Sequence, residues 1–372
     1  MTTMKVPYVD LGAQYSGIKQ EVLDRIGALL DSGAFIMGEE LATFEKSFAE
    51  LCGTTYAIGV ANGTDALFLS MMALGIGKGD EVITAPNSYL ASASSIALAG
   101  ATPVFADVLD DMNLDPQAVR KAITSRTKAI IAVHLTGRPA RMEELLAIAM
   151  EHDLNVIEDC AQAIGATLNG QHVGSFGVTG CFSLHPLKNL AAAGDGGVIT
   201  TNDDAVHAHL LKARNHGMRD RDHSAFFSYN SRLDNLQAAV LNVKMRELPR
   251  WTERRRAIAA MYHLGLSGVG DLLIPKDANG ERAVYHTFII QTAQRDALKA
   301  FLEERGIDTK IHYPVPIHLQ EAAAYLGYKR SDFPVTEKQC ATILSLPVFA
   351  ELSDEQVDHV IASITEFFVS ER

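Results

Sequence analysis

The chain has 372 residues, of which 47% are hydrophobic and 21% are charged, as is typical of soluble globular proteins. Its length favours two domains, and its formal net charge of −12 argues against a nucleic-acid-binding surface, which needs clustered lysine and arginine. The cysteines are scattered without a CxxC pair, which excludes a regular zinc or iron–sulfur framework and fits a reducing compartment: Cys52, Cys160, Cys181 and Cys340.

The N-terminal residues contain no apolar run like that of a signal peptide, and no segment reaches membrane-spanning length. We therefore expect a cytoplasmic protein with neither a membrane nor a nucleic acid as partner. One basic run, Arg250–Arg256, has helical spacing. We interpret it as a solvated helix face or a contact between subunits.

Hydrophobic periodicity predicts alternating helices and strands over the first two thirds of the chain. Predicted helices cover residues 15–30, 39–51, 61–74, 88–99, 115–124, 141–152, 205–215 and 234–248, the last continuing as another helix through residue 263. Predicted strands cover residues 56–60, 81–84, 102–108, 127–134, 154–159 and 198–201. This alternation predicts a largely parallel α/β sheet, in which ligands bind at the carboxyl ends of strands.

From about residue 265 the pattern changes, and it predicts a smaller α+β domain of ordinary size. Strands are expected at residues 284–291 and 309–313, and helices at residues 295–305 and 354–369. We place the large domain, with its N-terminal helical segment, at residues 1–250 and the small domain at residues 251–372.

A candidate catalytic lysine lies in the octet 182–189, Phe-Ser-Leu-His-Pro-Leu-Lys-Asn, just before a glycine cluster at residues 194–197. A lysine that reacts with a carbonyl group must be neutral, so its ordinary pKa near 10.4 must be lowered by several units. Desolvation or a neighbouring cationic group lowers the pKa in this way. From the octet alone, a surface lysine on a loop is an equally good interpretation of Lys188.

Two other features lie at predicted strand ends. Gly63 and Thr64 follow the strand at 56–60 and open a helix, where free N–H groups suit an anion such as phosphate. A simple helix cap by Asn62 or Thr64 is the alternative. Asp159 ends the strand at 154–159 and places a carboxylate at the same edge.

The chain lacks the Rossmann, P-loop, HExxH and GxSxG motifs, so nicotinamide binding is disfavoured. An anion-binding turn, a carboxylate and a lysine together suit pyridoxal 5′-phosphate (PLP). This cofactor needs a phosphate cup, an acid at its pyridinium nitrogen and a lysine that forms a Schiff base. No metal site is predicted.

Further motifs resemble the DegT/DnrJ/StrS sugar aminotransferases, which are fold-type I PLP enzymes. The resemblance covers nearly the whole chain, through residues 9–11, 38, 44–45, 61–67, 79–83, 100–105, 133–134, 157–163, 182–188, 194–197, 229–234, 237–239 and 312–314. It implies a large domain with a mixed, mostly parallel sheet between helices, and a smaller C-terminal α+β domain. It also implies a homodimer whose subunits share their active sites.

The resemblance assigns roles to individual residues. It implies that Lys188 forms the Schiff base and moves a proton, that Asp159 pairs with the pyridinium nitrogen, and that Gln162 bonds the phenolic oxygen. It gives the phosphate to Gly63, Thr64 and Ser183, ring stacking to Tyr89, and a phosphate contact across the dimer to Asn230. The segments that resemble substrate-contacting ones contain His185, His312, Tyr313 and His318.

Simpler interpretations exist for three of these residues. Gln162 could cap the following turn, Tyr89 could belong to the core, and His185 could be a structural hydrogen-bonding residue.

The resemblance also implies the reaction. Relatives with histidine in place of the lysine are dehydratases, whereas Lys188 favours amino transfer from L-glutamate to a nucleotide-linked keto sugar, with pyridoxamine 5′-phosphate (PMP) formed in between. Such enzymes serve polysaccharide or antibiotic biosynthesis. The sequence Asn-Ser-Arg at 230–232 resembles enzymes that act on 3-keto sugars. Amination at carbon 4, a keto-cyclitol substrate, and a PLP-binding regulator without turnover are the alternatives.

Overall fold

The computed structural model describes residues 4–370, except for the side chain of residue 370, so the outermost residues of the two predicted domains lie outside it. Its helices are α1 (Leu11–Tyr15), α2 (Lys19–Ser32), α3 (Glu39–Cys52), α4 (Gly63–Ala73), α5 (Ala91–Leu98), α6 (Pro116–Ala122), α7 (Met142–Glu151), α8 (Asp204–Ala213), α9 (Asn235–Leu266), α10 (Arg295–Glu304), α11 (Pro334–Thr342) and α12 (Asp354–Ser370).

The strands of the described residues alternate with these helices in the first two thirds of the chain. They are β1 (Tyr56–Val60), β2 (Glu81–Thr84), β3 (Thr102–Phe105), β4 (Thr127–Val133), β5 (Asn155–Asp159), β6 (Thr167–Leu168), β7 (Gln171–His172), β8 (Thr179–Ser183), β9 (Gly197–Thr201), β10 (Glu281–Arg282), β11 (Phe288–Gln291) and β12 (Ile343–Leu346).

Within residues 4–370, seven strands form the central sheet, in the order β1-β9-β8-β5-β4-β2-β3. The strands β3, β2, β4, β5 and β8 run parallel, whereas β9 is antiparallel to both β8 and β1. The prediction of a mixed, mostly parallel sheet is therefore confirmed. The parallel arrangement brings the carboxyl ends of β5 and β8 to one edge, where Asp159 and Ser183 end their strands.

Helices cover both faces of this sheet. Successive residues of a strand point to opposite faces, so neighbouring side chains pack against different helices. Ile131 of β4 packs in a cluster that contains Leu67 of α4, whereas its neighbour Ile130 packs in a cluster that contains Leu145 of α7. Parallel strands are usually buried in this way on both faces. The continuous apolar run of β4 is explained by this double burial.

A second core lies in the C-terminal part. β11 pairs antiparallel with β12, and α10 and α12 pack beside them around buried residues such as Phe288 and Leu302. Val6 is buried in the same core, and its backbone N–H donates to the carbonyl of Gly306 at 2.9 Å. Residues near the N-terminus therefore complete the C-terminal core.

The helix α9 joins the two parts of the molecule. It runs from Asn235 to Leu266 with Pro249 inside it, where two consecutive helices were predicted. Burial of Trp251, Ile258 and Tyr262 continues along the same helix beyond the proline. The domain division at residue 250 falls within α9 and stays a prediction.

The basic run on α9 is used within the chain. Arg255 is buried, and its Nη1 donates to the carbonyl oxygens of Tyr285 at 3.1 Å and Val348 at 2.6 Å. Arg254 pairs with Asp354 at 2.7 Å. The interpretation of this run as a solvated face is therefore wrong for Arg255, because carbonyls of the C-terminal part surround its guanidinium.

Two predicted strands differ from the structure. Residues 309–313 form only an isolated bridge between Lys310 and Ser345, and the prolines that follow have no N–H to continue a ladder. Residues 284–287 precede β11 as an irregular segment, since Val284 and Thr287 donate their N–H groups to the carbonyls of Gly137 and Thr136. The predicted helix at 15–30 is divided between α1 and α2.

None of the helices in residues 4–370 has both the length and the apolar composition that crossing a membrane requires.

Candidate active site

The lysine loop follows β8 directly. After Ser183 the chain turns at residues 185–188, where the N–H of Lys188 donates to the carbonyl of His185 at 2.8 Å. Burial lowers the pKa of Lys188 to about 8, although the nearby Asp159 carboxylate opposes this effect. A substantial fraction of this amine is therefore neutral near pH 8, as carbonyl chemistry requires. The interpretation of Lys188 as an ordinary surface lysine is not supported.

Several side chains hold the segment that follows Lys188. Asn189 donates from Nδ2 to the carbonyl of Val284 at 3.2 Å, and its Oδ1 therefore accepts from Nδ1 of His286 at 3.1 Å. Lys244 donates from Nζ to the carbonyl of Ala191 at 3.0 Å. These bonds hold Asn189 and Ala191, the residues just after Lys188, and so restrain the position of Lys188 itself.

Asp159 lies at the carboxyl end of β5 and is 6% exposed. Its Oδ1 accepts from the N–H of Ala161 at 3.2 Å, and its Oδ2 accepts from the hydroxyl of Ser92 at 2.7 Å. The Asp159 carboxylate also raises the pKa of Lys188 and of Tyr313 through its charge, as expected of groups that lie near one another.

A second buried acid, Glu158, lies beside Asp159 in a group with His134 and Cys160 that could hold a metal ion by distance alone. His134 accepts at Nδ1 from the N–H of Ala140 and therefore donates from Nε2 to Glu158 at 3.0 Å. The glutamate oxygens also accept from three backbone N–H groups, those of Gly174, Phe176 and Gly177. Because these bonds use the acceptor sites of the carboxylate, we interpret the group as structural.

The predicted anion-binding turn is the start of α4. Asn62 caps this helix by accepting from the N–H of Asp65 at 2.8 Å, so the cap interpretation is correct for Asn62. The N–H groups of Gly63 and Thr64 come earlier, where a helix offers no acceptor of its own. A Cβ atom at Gly63 would lie 2.7 Å from the Cβ of Ser183, so only glycine fits this approach. Gly63, Thr64 and Ser183 thus lie together.

Gln162, Tyr313 and Tyr89 form the next part of the pocket. Gln162 accepts at Oε1 from the N–H of Thr136 at 2.7 Å and donates from Nε2 to the Tyr313 hydroxyl at 3.4 Å. The Tyr89 ring centroid lies 5.7 Å from that of Tyr313, and Tyr89 is 60% exposed. Gln162 therefore does not cap its own turn, and Tyr89 is not a core residue.

Two histidines lie close to the lysine. His312 bonds Oγ of Ser345 through Nδ1 at 2.9 Å, and burial together with Lys188 lowers its pKa to about 4. Burial and the same lysine hold the pKa of His286 well below its usual range. His286 was missed by sequence reasoning, although a histidine within the apolar run 283–291 was a possible signal. Both rings are neutral at pH 7.

The remaining predicted residues are His185, His318 and Asn230. His185 is exposed and accepts at Nδ1 from the N–H of Leu187 at 3.3 Å, as a structural hydrogen-bonding residue would. His318 is buried and bonds Glu337 at 3.2 Å, with its ring edge-on to Phe333. Asn230 is exposed, and its backbone forms a bridge with residue 215.

A family model for the DegT/DnrJ/EryC1/StrS aminotransferases matches residues 16–365. The chain belongs to this family. The DegT/DnrJ/EryC1/StrS aminotransferases are PLP enzymes, and the fold is that of fold-type I transferases.

Curated relatives match the chain over nearly its full length. A UDP-N-acetyl-3-dehydro-α-D-glucosamine 3-aminotransferase of Acidithiobacillus ferrooxidans is 44% identical over 96% of this chain and 97% of its own. A dTDP-3-amino-3,4,6-trideoxy-α-D-glucose transaminase of Streptomyces venezuelae is 42% identical over 98% and 97%. A protein of Geobacillus stearothermophilus named pleiotropic regulatory protein is 46% identical over 98% and 99%.

Two solved structures agree with the fold and the cofactor. DesV of S. venezuelae, solved in complex with a ketimine intermediate, superposes with a TM-score of 0.96 at 42% identity, covering 98% of this chain and 99% of DesV. NtdA of Bacillus subtilis, solved with bound cofactor PMP, gives a TM-score of 0.92 at 28% identity, covering 98% and 85%. PLP is the cofactor of this chain.

The residues of the pocket fit that cofactor. The free N–H groups at the start of α4 and the hydroxyl of Ser183, which accepts only a long 3.4 Å bond from the N–H of His185, are suitable donors for a phosphate. Asp159 supplies a buried carboxylate for a pyridinium nitrogen, and Lys188 supplies an amine of lowered pKa. The donor set, the acid and the amine therefore match the three ends of the cofactor.

The lowered pKa of Lys188 predicts how its reactivity depends on pH. In cofactor-free protein, the labelling rate of Lys188 by an amine-selective reagent should rise about tenfold per pH unit below pH 8 and level off above it, because only the neutral amine reacts. Mass spectrometry of the labelled peptide at pH 6 to 10.5 measures this rate. A rise that continues to about pH 10.4, the value of an unperturbed lysine, would contradict the burial argument.

Proposed function

We propose that this PLP-dependent aminotransferase transfers an amino group from L-glutamate to the carbon-3 keto group of a nucleotide-linked deoxysugar. The names of relatives from A. ferrooxidans and S. venezuelae, at 44% and 42% identity, support this position, since both describe a 3-amino or 3-keto nucleotide sugar. One observation carries the proposal. Burial lowers the pKa of the Lys188 amine to about 8, close to the Asp159 carboxylate.

We assign the residues of the pocket to the parts of the cofactor. Gly63, Thr64 and Ser183 would hold the phosphate, and Asp159 would pair with the pyridinium nitrogen. Gln162 would donate to the ring oxygen from the second N–H of Nε2, since Oε1 accepts from Thr136 and the other N–H donates to Tyr313. Tyr89 would stack on the ring, since its own aromatic ring is exposed beside Tyr313.

When bound, PLP supplies an aldehyde that condenses with amines and a ring that accepts an electron pair. Lys188 then acts as the base and acid of the reaction, because its Nζ can accept a proton near neutral pH and return it. His286 and His312 stay neutral beside Lys188. They therefore add no positive charge, which would oppose protonation of the Lys188 amine. Asp159 would supply the carboxylate partner of the pyridinium nitrogen.

We assign the substrate side of the site to His312, Tyr313 and His185. We include His318 as well, because its neighbour Ile317 donates its N–H to the carbonyl of Pro86, in the loop before Tyr89.

We further propose a homodimer in which Asn230 reaches the partner subunit's phosphate site, and a cytoplasmic location. The exposed Asn230 and Phe227, the latter 100% exposed in the isolated chain, support a contact with a second copy.

A matched pair of substrates tests the position of amination. With L-glutamate in excess, the protein should use a 3-keto nucleotide sugar with a kcat/KM about 100-fold higher than its 4-keto isomer, because a misplaced keto group leaves polar groups of the site unpaired. Formation of 2-oxoglutarate measures both reactions. Equal rates, or a preference for the 4-keto sugar or a keto-cyclitol, would contradict the carbon-3 assignment.

A second candidate is a regulator that binds PLP without turnover. The name of the Geobacillus stearothermophilus relative, at 46% identity, favours it. Such a protein would bind PLP and yet release no 2-oxoglutarate with any keto sugar. The low pKa of Lys188 supports the enzyme, since a binding protein has no need for a proton-transferring amine.

A further inference from the structure

Two buried serines near the start of α5 form a chain of hydroxyl groups that ends on Asp159. Oγ of Ser88 lies 2.7 Å from Oγ of Ser92, and Oγ of Ser92 lies 2.7 Å from Oδ2 of Asp159. Ser88 is 5% exposed and Ser92 is fully buried.

The direction of these bonds follows from the donors available. An ionised carboxylate only accepts hydrogen bonds, so Ser92 donates its single hydroxyl proton to Asp159. Its oxygen is then free only to accept, and Ser88 donates to it. The chain therefore runs from Ser88 through Ser92 to the acid.

The two oxygens of Asp159 are held from different directions. Oδ2 accepts from Ser92 of α5, whereas Oδ1 accepts from the backbone N–H of Ala161, which follows β5. One donor at each oxygen fixes the rotation of the carboxylate about its side-chain bond. Hydrogen bonds to a charged group are stronger than those between neutral groups, so this restraint is substantial.

We propose that Ser92 is a positioning residue that orients Asp159 toward the cofactor, and that Ser88 in turn orients Ser92. This inference rests on the proposed role of Asp159 as the partner of the pyridinium nitrogen. A preorganised carboxylate does not have to rotate when the ring binds, and that advantage appears in the affinity for the cofactor as well as in the rate.

The chain offers a matched control on the same helix. Ser95 is also fully buried, but its hydroxyl donates to the carbonyl of Ser92 at 3.3 Å and not to the acid. Replacing Ser95 with alanine removes a buried hydroxyl of α5 without altering the chain to Asp159. Any general effect of losing a serine hydroxyl from this helix is thereby measured separately.

The test is a double-mutant cycle on the dissociation constant for PLP, measured by titrating cofactor-free protein and following its intrinsic fluorescence. We expect Ser92→Ala to weaken binding about tenfold, the value of one hydrogen bond to a charged group. Ser92→Thr should retain the affinity within about twofold, Ser95→Ala should leave it unchanged, and Ser88→Ala should weaken it by a smaller factor than Ser92→Ala. In the Asp159→Asn background, Ser92→Ala should add less than about twofold, because interacting residues are not additive.

Each outcome decides between the two claims. If Asp159→Asn weakens binding and Ser92→Ala does not, the positioning role is wrong and the role of Asp159 stands. If Ser92→Ala weakens binding equally in both backgrounds, Ser92 acts independently of Asp159 and the inference fails. If Asp159→Asn leaves binding and activity unchanged, the proposed role of Asp159 itself is wrong.

Discussion

Lys188→Ala is expected to lower amino transfer by at least about 10³-fold, because the variant loses both the amine that binds the cofactor covalently and the group that moves the proton. The Lys188 side chain is partly buried and has a pKa lowered to about 8, so its amine can both accept and return a proton near neutral pH. His286 and His312 are near, yet their low pKa values make them poor bases at pH 7. Formation of 2-oxoglutarate from L-glutamate and a 3-keto nucleotide sugar measures the loss.

Two further variants separate the chemistry from charge and folding. Lys188→Arg keeps a cation but has no amine that becomes neutral in this pH range, and it should be as inactive as Lys188→Ala. Lys310→Ala removes an exposed lysine that pairs with Asp308 at 2.7 Å, and its activity should stay within about twofold of the parent. Transfer by Lys188→Ala above about a tenth of the parent rate would exclude Lys188 as the catalytic amine.

Asp159→Asn is expected to lower the rate of transfer by roughly 10²- to 10³-fold, the usual effect of removing one preorganised electrostatic group. The amide has nearly the same shape and can still accept at one oxygen, but it carries no charge to keep a pyridinium nitrogen protonated. The ring then withdraws electrons poorly. Steady-state kcat, measured at saturating L-glutamate and keto sugar, reports this effect.

The role of Asp159 also predicts what the substitution leaves intact. PLP should still attach to Lys188 in Asp159→Asn, because the lysine and the phosphate site are unchanged. Asp159→Glu keeps the charge on a longer side chain and should retain more activity than the amide. Activity of Asp159→Asn within about threefold of the parent would show that the acid does not support the ring.

Those parts of the site that depend on local patterns could be predicted from the sequence. Asp159 ends a strand and Gly63 follows one, both strands were identified by their apolar residues, and the carboxyl ends of parallel strands share one edge. The close approach of Gly63 to Ser183 agrees with this prediction, since β1 and β8 both pair with β9 in the same sheet.

The supporting residues could not be predicted, because they come from distant parts of the chain. Ser92 lies 67 positions from Asp159, and His286 lies 97 positions from Asn189. No local periodicity connects such pairs, which meet only through the packing of α5 on the sheet and of the 284–287 segment on the lysine loop. That segment was itself mispredicted as a strand, since its N–H groups bond carbonyls of residues 136 and 137 and not a neighbouring strand.

Chemical trapping of the cofactor tests the account most directly. Holoenzyme is reduced with borohydride, which makes the link between PLP and its lysine permanent, and the digested protein is mapped by mass spectrometry. The added mass of pyridoxyl phosphate is expected on the peptide that contains Lys188. The same mass on another residue, or on no peptide at all, would contradict it.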